Sequence, residues 1–174
     1  MAIVTMAGLA ACNPAKKNDH GHWRKVCKSL FQEKVAPLTL DGVTRILDYC
    51  YNDLPPDLKT CSLYLSIFLK GLKICTKRLT RRWISECFVT EKQGLTAEEV
   101  PETYFNQLIS RKIIRPVDHN RNGKVKSFKV HDMILEYIVS KASQENFITV
   151  VGGHWLMPTP SNKVRRLSMQ SSGS

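Results

Sequence analysis

The sequence predicts a mainly α chain, in which a run of helices leads into a β-hairpin, one further helix and short C-terminal strands. Three observations carry this expectation. Val43, Ile46, Leu47, Cys50 and Leu54 recur at the spacing of a helix with one buried face. Asn122-Gly123 lies between two stretches of strand texture, Ile113–Asp118 and Lys124–Val130, and marks a tight turn. Helical spacing then returns from Asp132 to about Ser143, with Ile134, Leu135, Ile138 and Val139 on one face.

In chain order, residues 1–12 read as an apolar helix and Asn13–Gly21 as a polar loop around Asn13-Pro14. Trp23–Lys34 reads as a helix with Val26 and Leu30 inward, and Ala36–Gly42 as a connector. The helix from Asp41 stops at Pro55-Pro56, and a proline suits the first turn of the helix that follows. Leu58–Phe68 is apolar on nearly every side, as expected of a central buried helix. Lys77–Val89 places Leu79, Trp83, Ile84, Cys87 and Phe88 on one face. Thr96-x-x-Glu99 is a capping box for a helix reaching about Arg111 through Tyr104, Leu108 and Ile109. Pro101 lies about five residues into that segment, where a proline costs about 3 kcal/mol unless the helix starts late. Alternation slips near Ser127, which predicts a bulge. Phe147–Val151 and Val164–Gln170 read as strands, joined by a linker with Gly152, Gly153, Pro158 and Pro160. Helices followed by a hairpin form the winged-helix pattern, here with an extra helix after the wing.

Composition narrows the function classes. With 43% apolar residues the chain has material for a core, and 26 Lys and Arg against 15 Asp and Glu give a formal charge of +11. Such a field favours acidic partners. The apolar stretch Ile3–Cys12 is far below the roughly 20 residues of a membrane-spanning helix, and no basic segment precedes it as in an export signal. The reading is a soluble, cytoplasmic chain. The six cysteines contain no C-x-x-C pair, so no zinc site is expected; Cys61, Cys75 and Cys87 read as reduced core thiols, and His20 and His22 as loop residues. No G-x-x-x-x-G-K-[ST] loop is present to cradle phosphates, which argues against an ATPase. Arg78, Arg81, Arg82, Lys124, Lys126 and Lys129 are the candidate contacts for a nucleic-acid backbone. Against specific DNA binding, the helix that would enter the groove opens with Glu98, Glu99 and Glu102. Asp132 is expected to be the N-cap of the last helix.

Cys61-Ser-Leu-Tyr-Leu-Ser-Ile-Phe68 resembles a Cys-x-Leu-Tyr-x-Ser-x-Phe run in the nucleotide-binding, leucine-rich-repeat disease-resistance receptors of plants. Arg82-Trp-Ile-Ser-Glu-Cys-Phe-Val89 is similar to their Trp-x-Ala-Glu-Gly-Phe helix, and Val130-His131-Asp132 to their MHD motif. The resemblance implies that His131 reaches the β-phosphate of ADP in an intact receptor and that Asp132 supports it. It also implies a division into three parts: residues 1–40 as the end of a preceding helical domain, 41–145 as the winged helix, and 146–174 as a linker and the start of the repeat array. The expected function is a regulatory and interaction module of an innate-immune receptor, present here as a truncated piece and not an enzyme. Its partners would be other domains or copies of resistance receptors. No cofactor is expected for the isolated chain; ADP belongs to the family. The rival reading is a winged-helix DNA-binding protein.

Overall fold

The computed structural model describes residues 19–31, 40–89, 94–96, 98–152 and 164–170. The expected helix at 1–12 and most of the linker after Gly152 lie outside the described residues. Helix α1 (His20–Phe31) begins earlier than expected, because the Asp19 carboxylate accepts the His22 backbone N–H at 2.8 Å and so satisfies one orphan donor of the first turn. His20 and His22 are therefore helical, and not loop residues. Helix α2 (Leu40–Asn52) takes in residues 40–42, assigned to a connector from sequence. Its buried face holds Ile46, Leu47 and Cys50, and Leu54 just beyond it is also buried.

Helix α3 (Pro56–Leu63) opens with proline at its first position, where the missing N–H costs no hydrogen bond. The expected single helix to Phe68 instead tightens into a 3-10 turn (Tyr64–Ile67), and Phe68 turns to extended backbone. The segment is central as expected, with Leu58, Cys61 and Leu65 at most 1% exposed. Strand β1 (Ile74–Cys75) leads into α4 (Thr76–Ser85), which buries Leu79 and Trp83 completely. Helix α5 (Glu99–Ser110) starts late enough that Pro101 lies in its first turn. There proline removes no intrahelical bond, so the expected penalty does not arise. Half of the capping box forms: the Glu99 carboxylate accepts the Thr96 backbone N–H at 2.8 Å.

Strands β2 (Ile114–His119) and β3 (Val125–Val130) make the wing, and β1 pairs with the other edge of β3, giving an antiparallel sheet in the order β1-β3-β2. The register shifts on both sides of the Asp118–Ser127 pair, where the bulge was expected. The hairpin loop differs from expectation. Only Gly123 has positive φ, and the Gly123 N–H bonds to the Asn120 carbonyl at 3.0 Å. The Asn120 side chain also accepts the N–H groups of Asn122 and Lys124. The result is a three-residue loop with glycine in the left-handed position, and not a two-residue turn. Helix α6 (Asp132–Gln144) buries Ile134, Leu135, Ile138 and Val139. Strand β4 (Thr149–Gly152) then pairs in parallel with β5 (Leu167–Gln170), and Val150 reaches the main core.

Helices α4, α5 and α6 end alike. Cys87, Lys112 and Asn146 adopt positive φ, and the next residue (Phe88, Ile113 or Phe147) donates its N–H back to Trp83, Leu108 or Ala142. This Schellman ending usually uses glycine; here the apolar residue that follows each turn, buried or half-buried against the core, compensates for the strain. It also corrects the cysteine reading. Cys87 turns outward and Cys75 lies on an exposed strand edge, so neither is a core thiol, whereas Cys50 and Cys61 are buried. Burial pushes both buried thiols up to about 12. Native-state alkylation with peptide mapping should therefore label Cys75 and Cys87 within minutes and spare Cys50 and Cys61 until denaturant is added; equal labelling of all four would contradict this packing.

Candidate functional site

Strand β3 runs directly into α6, and His131 is the joint between them. Val130 is buried and pairs with Ile114, which fixes the end of the strand. His131 is extended (φ −71°, ψ 138°), and its carbonyl accepts the Leu135 N–H at 2.9 Å. Its Nδ1 accepts the Met133 N–H at 3.3 Å. His131 is thus the N-cap. Asp132 occupies the first helical position, which corrects the expected capping role. The reason is geometric: the residue just before a helix has extended backbone and lends its side chain to the free N–H groups, and the hairpin delivers His131 to that point.

The cap bears on the tautomer of the ring. An Nδ1 that accepts a hydrogen bond carries its lone pair, so in neutral imidazole the proton sits on Nε2. His131 is exposed, and in that tautomer its Nε2–H is the donor the ring has left. Asp132, also exposed, lies in the first turn, where its charge suits the positive end of the helix.

His131 and Asp132 line a cavity of about 490 Å³. The end of α5 contributes Ile109, Lys112 and Ile113, strand β2 contributes Ile114, Arg115 and Pro116, strand β3 contributes Lys129 and Val130, and Gly71 closes one side. Lys70, beside Gly71, pairs with Glu136 on α6 and ties that side to the helix. The floor is apolar and the rim is cationic. Of the rim residues, the sequence reading noted Lys129 alone, as a nucleic-acid candidate. Lys112 and Arg115 were missed because they meet Lys129 only once the hairpin register and the end of α5 are known. Alternation along Arg115-Pro116-Val117 was the available signal.

The remaining basic candidates lie elsewhere. Arg78 and Arg81 are exposed on α4, away from this cavity, and Lys124 pairs with Glu102 at 2.8 Å. Helix α5, the groove-reading helix of a DNA-binding winged helix, contains no basic residue, and Glu98 and Glu99 are exposed at its start.

Three helices and a three-stranded sheet whose last strand feeds a helix define a winged-helix domain, and the His131 cavity gives it an edge lined by Lys112, Arg115 and Lys129. Residues 67–138 match the family described as Disease resistance protein Winged helix domain. The chain carries the winged helix domain of plant disease resistance proteins. Disease resistance protein PIK6-NP of Oryza sativa subsp. japonica is 72% identical over all 174 residues, which correspond to 16% of that protein. Disease resistance protein RGA5 of the same rice is 33% identical over 99% of the chain and 15% of its own length. Disease resistance protein RPM1 of Arabidopsis thaliana is 35% identical over 84% of the chain and 16% of its own length. The chain thus spans about a sixth of the curated relatives it matches. Among the described residues no helix is long and apolar enough to cross a membrane.

Capping by His131 predicts a specific ranking of variants. His131→Ala should destabilise the domain by about 0.5–1 kcal/mol, at the low end for a lost cap because the bond is long. His131→Asp should retain most of that stability, and Asp132→Asn should cost only about 0.3 kcal/mol through the helix dipole. Urea denaturation of the three variants checks this, and a larger loss for Asp132→Asn than for His131→Ala would return the cap to Asp132.

Proposed function

We propose that this chain is a regulatory and interaction module of a plant innate-immune receptor, which closes over ADP and holds the receptor off. The observation that carries the reading is the His131 joint: a ring whose Nδ1 accepts from the helix it caps, at a residue that lines a cation-rimmed cavity. The Nε2–H donor left on that ring suits the β-phosphate oxygen of ADP. In this reading residues 41–145 are the winged helix, 1–40 end a preceding helical domain, and 146–174 lead toward a repeat array. The module works in the cytoplasm beside other domains or copies of resistance receptors, and it binds and regulates rather than catalyses. The 174 residues hold no phosphate loop, so His131 supplies one contact and the main nucleotide grip comes from elsewhere in a receptor. Sequence-specific DNA binding is the weaker reading, because α5 offers carboxylates where phosphates would pass.

The test grafts residues 41–145 into an intact resistance receptor in place of the equivalent segment. A hydrogen bond to a charged group contributes roughly 1.5–3 kcal/mol. His131→Ala should therefore weaken ADP retention after dialysis by about 10- to 150-fold, and the chimera should drift toward activity without its trigger. Equal retention in the parent chimera and in His131→Ala would sink this role.

A further inference from the structure

Three cations crowd one edge of the cavity rim. Arg115 and Lys129 are directly opposed in the antiparallel register of β2 and β3. Like charges in that position repel, with side chains roughly 5 Å apart at their bases. Lys112 joins them from the left-handed turn that ends α5. Among the described residues, none of the three has an acidic partner. The contrast with their neighbours is sharp: Lys70 pairs with Glu136, Lys73 with Asp118, Lys124 with Glu102 and Lys141 with Asp48. Strand β2 itself carries Asp118 to neutralise Lys73, yet places no acid beside Arg115. The sole carboxylate among the lining residues is Asp132.

We propose that Lys112, Arg115 and Lys129 form a polyphosphate subsite, which together with the Nε2–H of His131 takes the phosphate chain of a nucleoside di- or triphosphate or free pyrophosphate. This deepens the proposed function and rests on its reading of His131 as a phosphate donor. Three kinds of contact converge in the groove. The Arg115 fork matches two oxygens of one phosphate, the two ammonium groups serve as point charges, and the imidazole donates one directed hydrogen bond. The floor of Ile109, Ile113 and Val130 is apolar, which lowers the polarity on one side of these contacts. A chain of two phosphates spreads its charge over the space between opposed cations, and it removes the Arg115–Lys129 repulsion on binding. Asp132 opposes the ligand, so removing its charge should help.

The experiment titrates the full 174-residue chain with inorganic pyrophosphate at constant 0.15 M ionic strength, a condition that suppresses long-range effects of the net charge beyond about 8 Å. Following the Arg115, Lys129 and His131 signals by NMR locates the site. Arg115→Gln with Lys129→Gln should weaken binding at least about tenfold, from the loss of two charge-assisted contacts. The control, Arg78→Gln with Arg81→Gln, removes the same charge from α4 and should change affinity less than about twofold. Asp132→Asn should tighten binding. A second readout is independent of ligand: Arg115→Gln alone should raise the melting temperature by relieving the cross-strand repulsion. Equal weakening by the cavity pair and the α4 pair would overturn the subsite in favour of the general basic field, and so would no effect from the cavity pair. Comparing ADP with pyrophosphate separates the sources, since tighter ADP binding assigns the site to a nucleotide and equal binding to free pyrophosphate. The two proposals fail separately. Loss of pyrophosphate binding in the cavity pair with full ADP retention in the His131→Ala chimera keeps the cations and discards the His131 role, and the reverse keeps His131 and discards the cations.

Discussion

Everything at the candidate site depends on the register of β3. It is the central strand, hydrogen-bonded to β1 on one side and β2 on the other, and its Phe128 is wholly buried against Phe105 at a ring distance of 5.3 Å. Side chains alternate across a strand, so a slip of one residue would drive Lys129 into the core and lift Phe128 and Val130 out of it. That exchange is prohibitive. The depth at which Phe128 seats therefore fixes Val130, and Val130 fixes where the chain leaves the sheet and where His131 meets the first turn of α6. The bulge beside it is held by polar contacts. Lys73 and then Ser127 bond to the Asp118 carboxylate, which keeps that carboxyl below its ordinary range.

The rest of the molecule supports this joint by closing the other ends of its helices. Phe88 and Phe147, which follow the left-handed turns after α4 and α6, lie 5.6 Å apart, and the Arg166 guanidinium packs about 5 Å from both rings while its Nε bonds to Glu86 at 3.0 Å. A guanidinium between aromatic faces gains from the ring quadrupoles as well as the ion pair. At the far end of β5 the Gln170 amide donates to the carbonyls of Ser66 and Ile67, inside the 3-10 turn. Strand β5 is thus fastened at both ends to the winged helix. Its outward residues Leu167 and Met169 remain exposed, at 58% and 79%.

What periodicity controls was legible in the sequence. Helices α2, α4, α5 and α6, the hairpin and the slip at Ser127 all follow from side chains that must alternate or recur to reach one core. What depends on where an element ends was not legible. Cys87 lay on the apolar face of a helix extrapolated to Val89, but the helix stops at Ser85 and the left-handed turn sends Cys87 outward. Asn122-Gly123 was read as a two-residue turn because the reach of the Asn120 side chain across the loop leaves no mark in local composition. Asp132 is the stronger capping residue type, yet the strand delivers His131 to the capping position, so geometry overrode preference. The cavity depends on three elements meeting, and the motif Val130-His131-Asp132 pointed to one corner of it. The family match over residues 67–138 covers that corner and the rim.

Capping through Nδ1 requires the neutral His131 ring to carry its proton on Nε2, the nitrogen left over for a ligand. Long-range proton–nitrogen correlation NMR of the uniformly labelled chain, with imidazole in its neutral form, reads the tautomer directly. Protonated Nε2 with an unprotonated Nδ1 is the predicted pattern for His131. A neutral ring carrying its proton on Nδ1 would contradict the account, because that nitrogen could not then accept the Met133 N–H and the outward face would offer a lone pair in place of a donor.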